Sequence, residues 1–458
     1  VIAKPTIYRE YDIRGIAGVD FDDGFVEALG RAIGTKWLSK NIGRAVVARD
    51  CRLTSPGYHK ILKQAIRSTG VDVIDIGQCP SPLMYFSVHH LDLMGGVVIT
   101  GSHNAADYNG FKICVGKTTI HGDEIQELRR IIEAGEFARG EGSEEAYPII
   151  PAYQGFLEEQ FGRAGEGVKV VVDSGNGTGG PVGPGVYRSM GCEVTELYSE
   201  PDGRFPNHHP DPTVEANMQD LIGVVREKGA DLGIAFDGDS DRIGAVDGDG
   251  RIIWGDEMLV VFARSILEKH PGATVVSEVK CSQRLYDDIE KHGGNGIMWK
   301  VGHSLLKAKM KETGALVAGE MSGHIFFADR YFGYDDAVYA GARLIEIVAS
   351  SRRTLAEMLS DLPKTVFTPE IRVECGDETK FELATRALAR FRDMGLEVID
   401  VDGVRVLFEK GWGLIRASNT QPALVMRFEA DNEENLASYR QTVETELEGL
   451  KSELAGAA

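Results

Sequence analysis

The sequence predicts an α/β chain of three related modules followed by a distinct C-terminal α+β module. Three observations carry this. Helix and strand signals alternate strictly from residue 20 through AGARLIEIVA (340–349), the order that puts helices on the faces of a parallel or mixed sheet. Near TPEIRVE (368–374) the texture changes to strands in series. Glycine supplies 55 of 458 residues, or 12%, against a typical ~7%, with no collagen-like period. The excess points to many tight loops, where backbone approaches ligands closely.

In order, an amphipathic helix over about 22–38 precedes strand AVVARD, and a helix over 55–68 precedes strand VDVIDIG. The short helix SPLMYFSVHHL then leads to strand GGVVIT. Residues 141–150, EGSEEAYPII, are polar, acidic and then Pro-bearing, which suggests a boundary. The second module opens at VKVVVDSGNGTGG and ends with DLGIAFDGDSDRIGAVDGDG. The third carries VFARSILEKH, ATVVSEV and ALVAGE. LEVIDVDGVRVLF, GLIRAS, ALVMRFEA and an acidic helix from Glu433 make the fourth. The expected domains are 1–150, 151–254, 255–366 and 367–458. No convincing internal repeat and no low-complexity linker is present, so the domains are expected to pack on one another.

Lys plus Arg total 50 and Asp plus Glu 70, a formal charge of −20. That balance argues against duplex nucleic acid or an anionic membrane as the main partner. A small anion stays open, because a pocket can be locally basic. The six cysteines, Cys51, Cys79, Cys114, Cys192, Cys281 and Cys375, show neither C-x-x-C nor zinc-type spacing and suit a reduced compartment. Lys4, Arg9, Glu10 and Asp12 stand where a signal peptide needs an apolar run. No stretch approaches ~18 consecutive apolar residues. A cytoplasmic protein is expected.

Gly175, Gly177 and Gly180 form G-x-G-x-x-G directly after a strand, the pattern of a dinucleotide site. Pro181 and Pro184 crowd any following helix, so a tight strand-to-helix loop competes with that reading. In AFDGDSDRIG, Asp237, Asp239 and Asp241 alternate at the end of an apolar strand. Three such carboxylates repel one another unless a cation neutralises them, and oxygen-only ligands suit magnesium. A calcium EF-hand loop is excluded, since Arg242 and Gly248 stand where it needs Gly and Glu. An acidic surface turn is the plainer alternative.

Ser102 lies in T-G-S-H-N at a strand end, where a hydroxyl can face a ligand and act as nucleophile. His103 and Lys112 can supply its charge environment; a capping serine is the alternative. Serine, carboxylates and magnesium together describe phosphoryl transfer. GEMSGH places Glu320, Ser322 and His324 at alternate positions, so all three can project to one side and grip vicinal hydroxyls. RASNTQP groups Arg416, Ser418, Asn419 and Thr420 as a phosphate cradle, with Arg427 downstream.

Taken together, TGSHN, DGDSDR, GEMSGH and RASNTQP, with YREYDIRG and KVGHSLLKAKM, resemble the α-D-phosphohexomutase family over almost the whole chain, most closely its bacterial phosphomannomutase/phosphoglucomutase branch. The resemblance implies mixed sheets and four domains around a central cleft. It implies interconversion of hexose 1-phosphate and 6-phosphate, of mannose or glucose, through a phosphoserine and a hexose 1,6-bisphosphate. Ser102 would carry the phosphoryl group. Asp237, Asp239 and Asp241, with an oxygen on Ser102, would hold Mg2+. Glu320 and Ser322 match the sugar-binding pair, and Arg416, Ser418, Asn419 and Thr420 the loop for the non-transferring phosphate. Tyr11, Arg14, Lys112, Arg242, Lys280, His303 and His324 match other active-site contacts, and Lys112, His303, His324 and Arg14 are the candidates for the general base. The expected partners are small phosphosugars, with the chain a monomer or homodimer. Two departures are Ala105 where the family commonly has Pro and Ser240 where it commonly has Gly, so Ser240 must fit a site suited to positive φ. Runners-up are a phosphoglucosamine mutase, from which Met321 leans away, and a magnesium-dependent sugar phosphatase. A dinucleotide-dependent oxidoreductase and a non-catalytic carbohydrate-binding protein stand further off.

Overall fold

A computed structural model describes residues 3–419 and 422–457. Its strands form four sheets, one after another along the chain. The first orders Ile13–Ile16, Tyr108–Val115, Gly95–Ile99, Arg44–Arg49, Asp72–Gln78 and Glu144–Ala146 from edge to edge. Its central pairings are parallel, while Tyr108–Val115 runs antiparallel to both neighbours. The second sheet repeats that plan. Lys169–Asp173 is parallel to Glu193–Leu197 and Leu232–Phe236, and Ile243–Asp247 is antiparallel. In the third, Thr274–Glu278 is parallel to Asn295–Trp299 and Val317–Gly319, and Ile325–Phe327 is antiparallel. The fourth sheet is wholly antiparallel and carries helices Asp377–Asp393 and Glu433–Ala457. Three mixed α/β sheets and one α+β sheet are thus the architecture.

The plan places every motif alike. The TGSHN, DGDSDR and GEMSGH loops lie in the connections between one strand and its antiparallel neighbour, 100–107, 237–242 and 320–324, and Ser418 and Asn419 directly follow the strand Gly411–Ala417, which is antiparallel to Ala423–Ala430. A short connection of this kind keeps the loop at the carboxyl end of the preceding strand.

Two elements differ from the sequence reading. The polar segment 141–150 contains strand Glu144–Ala146, which extends the first sheet, and the first turn of helix Ile149–Phe161. It has no apolar face to announce a strand; parallel pairing with Asp72–Gln78 and ion pairs from Lys63 and Arg67 to Glu144 hold it. Strand Ile13–Ile16 is also cryptic, being only four residues long.

One apolar cluster runs continuously through the first three modules, joining Val46, Val170 and Val275. The fourth has its own core around Phe391, Ile415 and Phe428. Its main tie to the third is Arg405, fully buried, which stacks over Trp412 at 3.8 Å and donates to the carbonyls of Val279 and Cys281, both at 2.8 Å. The fourth module thus has a core of its own and joins the third through a smaller apolar contact of Val279 with Trp412 and Leu414. Within the first module Trp37 is fully buried and its indole donates to the Cys114 carbonyl at 2.8 Å. Trp37→Ala should cost roughly 3–5 kcal/mol, measured as a lower Tm, while the far-UV spectrum of the native state is retained.

Candidate active site

Ser102 is buried, and its backbone sits in the left-handed region at φ 48°. A non-glycine residue there needs outside support. Arg52 provides it. Fully buried, it donates to the carbonyls of Ser102 (2.8 Å), Asn104 (2.7 Å) and Tyr108 (2.9 Å), and also to that of Ala105. Asp50 lies 3.2 Å from the guanidinium and accepts from the Gly101 amide. The loop is held through its carbonyls, which makes Ala105 in place of Pro tolerable. Ser102 Oγ donates to Asp237 Oδ2 at 2.8 Å and lies 3.1 Å from His103 Nδ1. Burial, then Arg242 and Arg14, press His103 well below the ordinary histidine range.

Asp237, Asp239 and Asp241 are all buried, with ligand oxygens within 4.8 Å of one another. Lys112, from the first sheet, donates to Asp239 at 2.7 Å and to Asp241. Although burial opposes its charge, those carboxylates hold Lys112 above the ordinary lysine range. Ser81 and Thr100 complete the Asp239 Oδ2 shell at 2.6 and 3.1 Å. Burial and the two sibling carboxylates push Asp237 up. Asp239 Oδ1 and Asp241 Oδ1 are buried without any hydrogen-bond partner. Orphaned hard oxygens of this sort fit a divalent cation. Ser240 takes φ 60°, the conformation its family position demands.

The glycine-rich loop 175–180 packs against this turn. A Cβ on Gly177 would lie 2.7 Å from the Gly238 carbonyl oxygen, and the Thr178 amide donates to that same carbonyl. These glycines serve close backbone packing beneath the carboxylate loop, so the tight-loop reading holds.

Arg242 Nε donates to His324 Nε2 at 3.0 Å, and His324 Nδ1 lies 2.9 Å from Asp335 Oδ2. Nε2 is therefore engaged as an acceptor, while Nδ1 lies close to the carboxylate without a hydrogen bond. The neighbouring His303 ring is stacked on His324 with centroids 5.5 Å apart, its Nδ1 3.9 Å from the same carboxylate. Burial, then Lys307, push His303 well down, so it is neutral. Asp241, His324 and Asp335 also cluster tightly enough for a metal, but the ring atom facing them is Nδ1, and a ring whose Nε2 accepts from Arg242 carries its proton on Nδ1, which leaves no lone pair for an ion.

The sugar loop departs from simple alternation. A tight turn, Gly323 N to Glu320 O at 3.0 Å, carries Glu320 and Ser322, and Ser322 Oγ lies 3.5 Å from Glu320 Oε2. Glu320 Oε1 accepts from the Gly302 amide at 2.7 Å. Gly302 itself has φ 132°, and a Cβ there would strike the Tyr11 ring at 2.4 Å. Tyr11 OH donates to Val301 O at 2.7 Å and accepts from Asn419 Nδ2 at 2.8 Å, so three modules meet at one hydroxyl. Arg416 pairs with Asp402 at 3.0 Å, and Ser418 is buried beside it. Lys280 pairs with Glu370 at 2.7 Å, and its charge brings Glu370 down to about 2. Arg14 donates to Asn104 at 2.6 Å and pairs with Asp12. Thr420 lies outside the described residues. Arg427 faces elsewhere: it donates to the Lys280 carbonyl and lies over the Trp412 ring, joining the third sheet to the fourth.

Sequence reasoning missed Arg52, Ser81, Asp335, Asp402 and Glu370. A strand ending in an acid with Arg two residues later, Asp50-x-Arg52, was the available signal. Ser81 and Glu370 act across module boundaries, and Asp335 and Asp402 meet cations from other elements of their own modules. Chemically, the described residues bring together a hydroxyl, a carboxylate triad with two unpartnered oxygens, a buried ammonium and a neutral histidine. That set suits displacement at phosphorus.

Comparison with known proteins agrees. Phosphoglucomutase/phosphomannomutase family models match residues 5–139 (alpha/beta/alpha domain I), 152–250 (domain II), 254–366 (domain III) and 370–446 (C-terminal domain). The chain is 45% identical to a phosphomannomutase/phosphoglucomutase of Pseudomonas aeruginosa over 450 residues, covering 98% of this chain and 97% of that one. It is 44% identical to a phosphoglucomutase of Neisseria gonorrhoeae, over 93% of each chain. A crystal structure of a phosphoglucomutase/phosphomannomutase family protein from Burkholderia thailandensis superposes with a TM-score of 0.93 at 40% identity, over 98% of both. With its four modules matched in order and these relatives matched over nearly the whole chain, this chain belongs to the phosphoglucomutase/phosphomannomutase family.

Proposed function

We propose that the chain is a phosphohexomutase that interconverts the 1- and 6-phosphates of mannose and glucose through a phosphoserine at Ser102 and a hexose 1,6-bisphosphate. The observation that carries this reading is Ser102 Oγ, 2.8 Å from one carboxylate of a buried triad in which two oxygens lack partners. Mg2+, held by Asp237, Asp239, Asp241 and an oxygen on the phosphorylated Ser102, would supply Lewis-acid neutralisation of the phosphoryl group.

The chain's own groups account for the rest. A sugar hydroxyl attacks phosphorus, the P–O bond to Ser102 breaks, and the phosphoryl group passes to the sugar. Lys112, held protonated by Asp239 and Asp241, adds fixed positive charge beside the triad. The attacking hydroxyl must lose its proton to a base. Lys112 and Arg14 are tied in ion pairs, and His324 has no free lone pair, because Nε2 accepts from Arg242 and the ring proton is then on Nδ1. His303 remains: the Asp335 carboxylate beyond Nδ1 favours a proton there, which leaves Nε2 as the basic atom. In the return step Ser102 Oγ attacks the other phosphorus and passes its proton to His103 Nδ1, 3.1 Å away, while the P–O bond to the sugar breaks and the leaving sugar oxygen takes back the proton held by His303.

The sugar must bind in two poses, either phosphate resting in the cradle of Arg416, Ser418, Asn419 and Thr420. Glu320 and Ser322 then contact hydroxyls presented alike in both, the 3- and 4-hydroxyls that mannose and glucose share. Closing the separately packed fourth module over the bisphosphate would exclude water and suppress hydrolysis. Free, mostly buried cysteines suit a reduced cytoplasmic setting, and no described helix is long and apolar enough to cross a membrane.

Intact mass and peptide mapping of active protein should find phosphate on Ser102, and Ser102→Ala should cut turnover at least ~100-fold while sugar-phosphate affinity changes little. Reproducible phosphate on another residue would sink this mechanism. Chelation, or Asp239→Asn, should abolish most transfer without unfolding; full activity in metal-free buffer contradicts the magnesium assignment. Arg416→Ala should raise KM in both directions and release more bisphosphate. Incubation with mannose 1-phosphate and with glucose 1-phosphate should yield 6-phosphates; accumulation of inorganic phosphate instead would mark a phosphatase.

A further inference from the structure

Behind His303 and His324, between the first and third modules, lies a cavity of about 450 Å3 that the reaction does not use. Val88, Met310, Leu316 and the rings of Tyr85 and Tyr334 give it apolar walls. At its mouth His89 stacks on Phe332, with centroids 4.5 Å apart, and Phe332 is 39% exposed. Burial, then Lys117, bring His89 down to about 4, so this ledge is an uncharged pair of rings at neutral pH.

The polar lining has one sign. Lys117, Lys307 and Lys311 border the cavity, and no Asp or Glu does. Lys311 is exposed and has no acidic partner among the described residues. Lys117 is paired at 2.8 Å with Asp92, a residue 91% exposed at its side chain, and such surface pairs exchange readily. Lys307 is different in kind. Its side chain is only 9% exposed, its ammonium lies 4.6 Å from the centre of the Tyr85 ring, and it sits 3.2 Å from Asp335 Oδ1. The other oxygen of Asp335 faces His324 and His303. One carboxylate thus separates the cavity's deepest cation from the two active-site histidines.

Flat apolar walls with a buried ammonium at the floor and mobile cations at the rim match a ligand with a planar or alkyl body and one anionic group. We propose that this cavity is a second ligand site for a small amphiphilic anion, and that its occupant slows turnover by drawing Lys307 away from Asp335. The catalytic cradle selects the opposite chemistry, a polyhydroxylated phosphate, so the two sites should not compete.

The probe is 8-anilinonaphthalene-1-sulfonate, an aromatic anion of suitable size, titrated by fluorescence into the full-length protein. Saturable binding is expected, unaffected by saturating glucose 6-phosphate. Two exposed positions at the mouth supply variants that leave the core alone: Lys311→Glu and Ala328→Trp. Each should retain the parent's Tm and basal turnover and weaken probe affinity about tenfold, a loss of ~1.4 kcal/mol. Bound probe should lower turnover of the parent but not of the variants at the same probe concentration. Probe affinity unchanged in both variants, or displacement by glucose 6-phosphate, would overturn the site. A dimer in sedimentation that dissociates in Ala328→Trp would assign the cavity to a second copy of the chain instead. Binding without any change in turnover would overturn the link through Lys307. The fluorescence titration reads independently of the mutase reaction, so its failure is distinguishable from failure of the functional reading.

Discussion

The rest of this structure depends on the burial of three carboxylates within five residues. Asp237, Asp239 and Asp241 are each almost wholly removed from solvent, and an unpaired buried charge costs several kcal/mol. The second module cannot meet that cost alone. Lys112 comes from the first sheet, as do the Ser81 and Thr100 hydroxyls, and Arg242 turns back across the third-module loop to His324. Docking of modules and neutralisation of the triad are therefore one event. The two oxygens left over are free to take up a cation.

Arg52 solves a second problem with the same economy. The Ser102 loop presents a side chain from a left-handed backbone, and the facing turn does likewise at Ser240. Conformations of this kind cost of order 1–3 kcal/mol each and persist where surroundings over-determine them. A planar guanidinium reaching several carbonyls at once does so without touching the reactive hydroxyl.

Much of the site was legible because its chemistry is contiguous. Ser102 and the Asp triad sit in short runs whose spacing alone implies nucleophile and cation. The fold class was legible from alternation. Strand Glu144–Ala146 was not, since edge pairing and ion pairs hold it and no apolar periodicity marks it. Asp335 was invisible for another reason: nothing in YFGYDD distinguishes an acid that will meet two histidines and a lysine after folding. Asp402 and Glu370 are alike in this, because each gains meaning only from a cation in another strand or module. The projection assumed for Glu320 and Ser322 failed locally, where a turn replaced the extended chain.

The Ser102, Asp-triad and Glu320 loops each bridge two hydrogen-bonded, adjacent strands. Such a loop is anchored at both ends on one rigid ladder and has little room to flex by itself. A catalyst that must accept one sugar in two opposite presentations cannot then rely on supple fingers. It must act like a set of stiff jaws, each motif travelling only as far as its whole sheet travels. Kinetic variation among such enzymes should accordingly track residues at the seams between modules, far from phosphorus, as much as the residues that touch it.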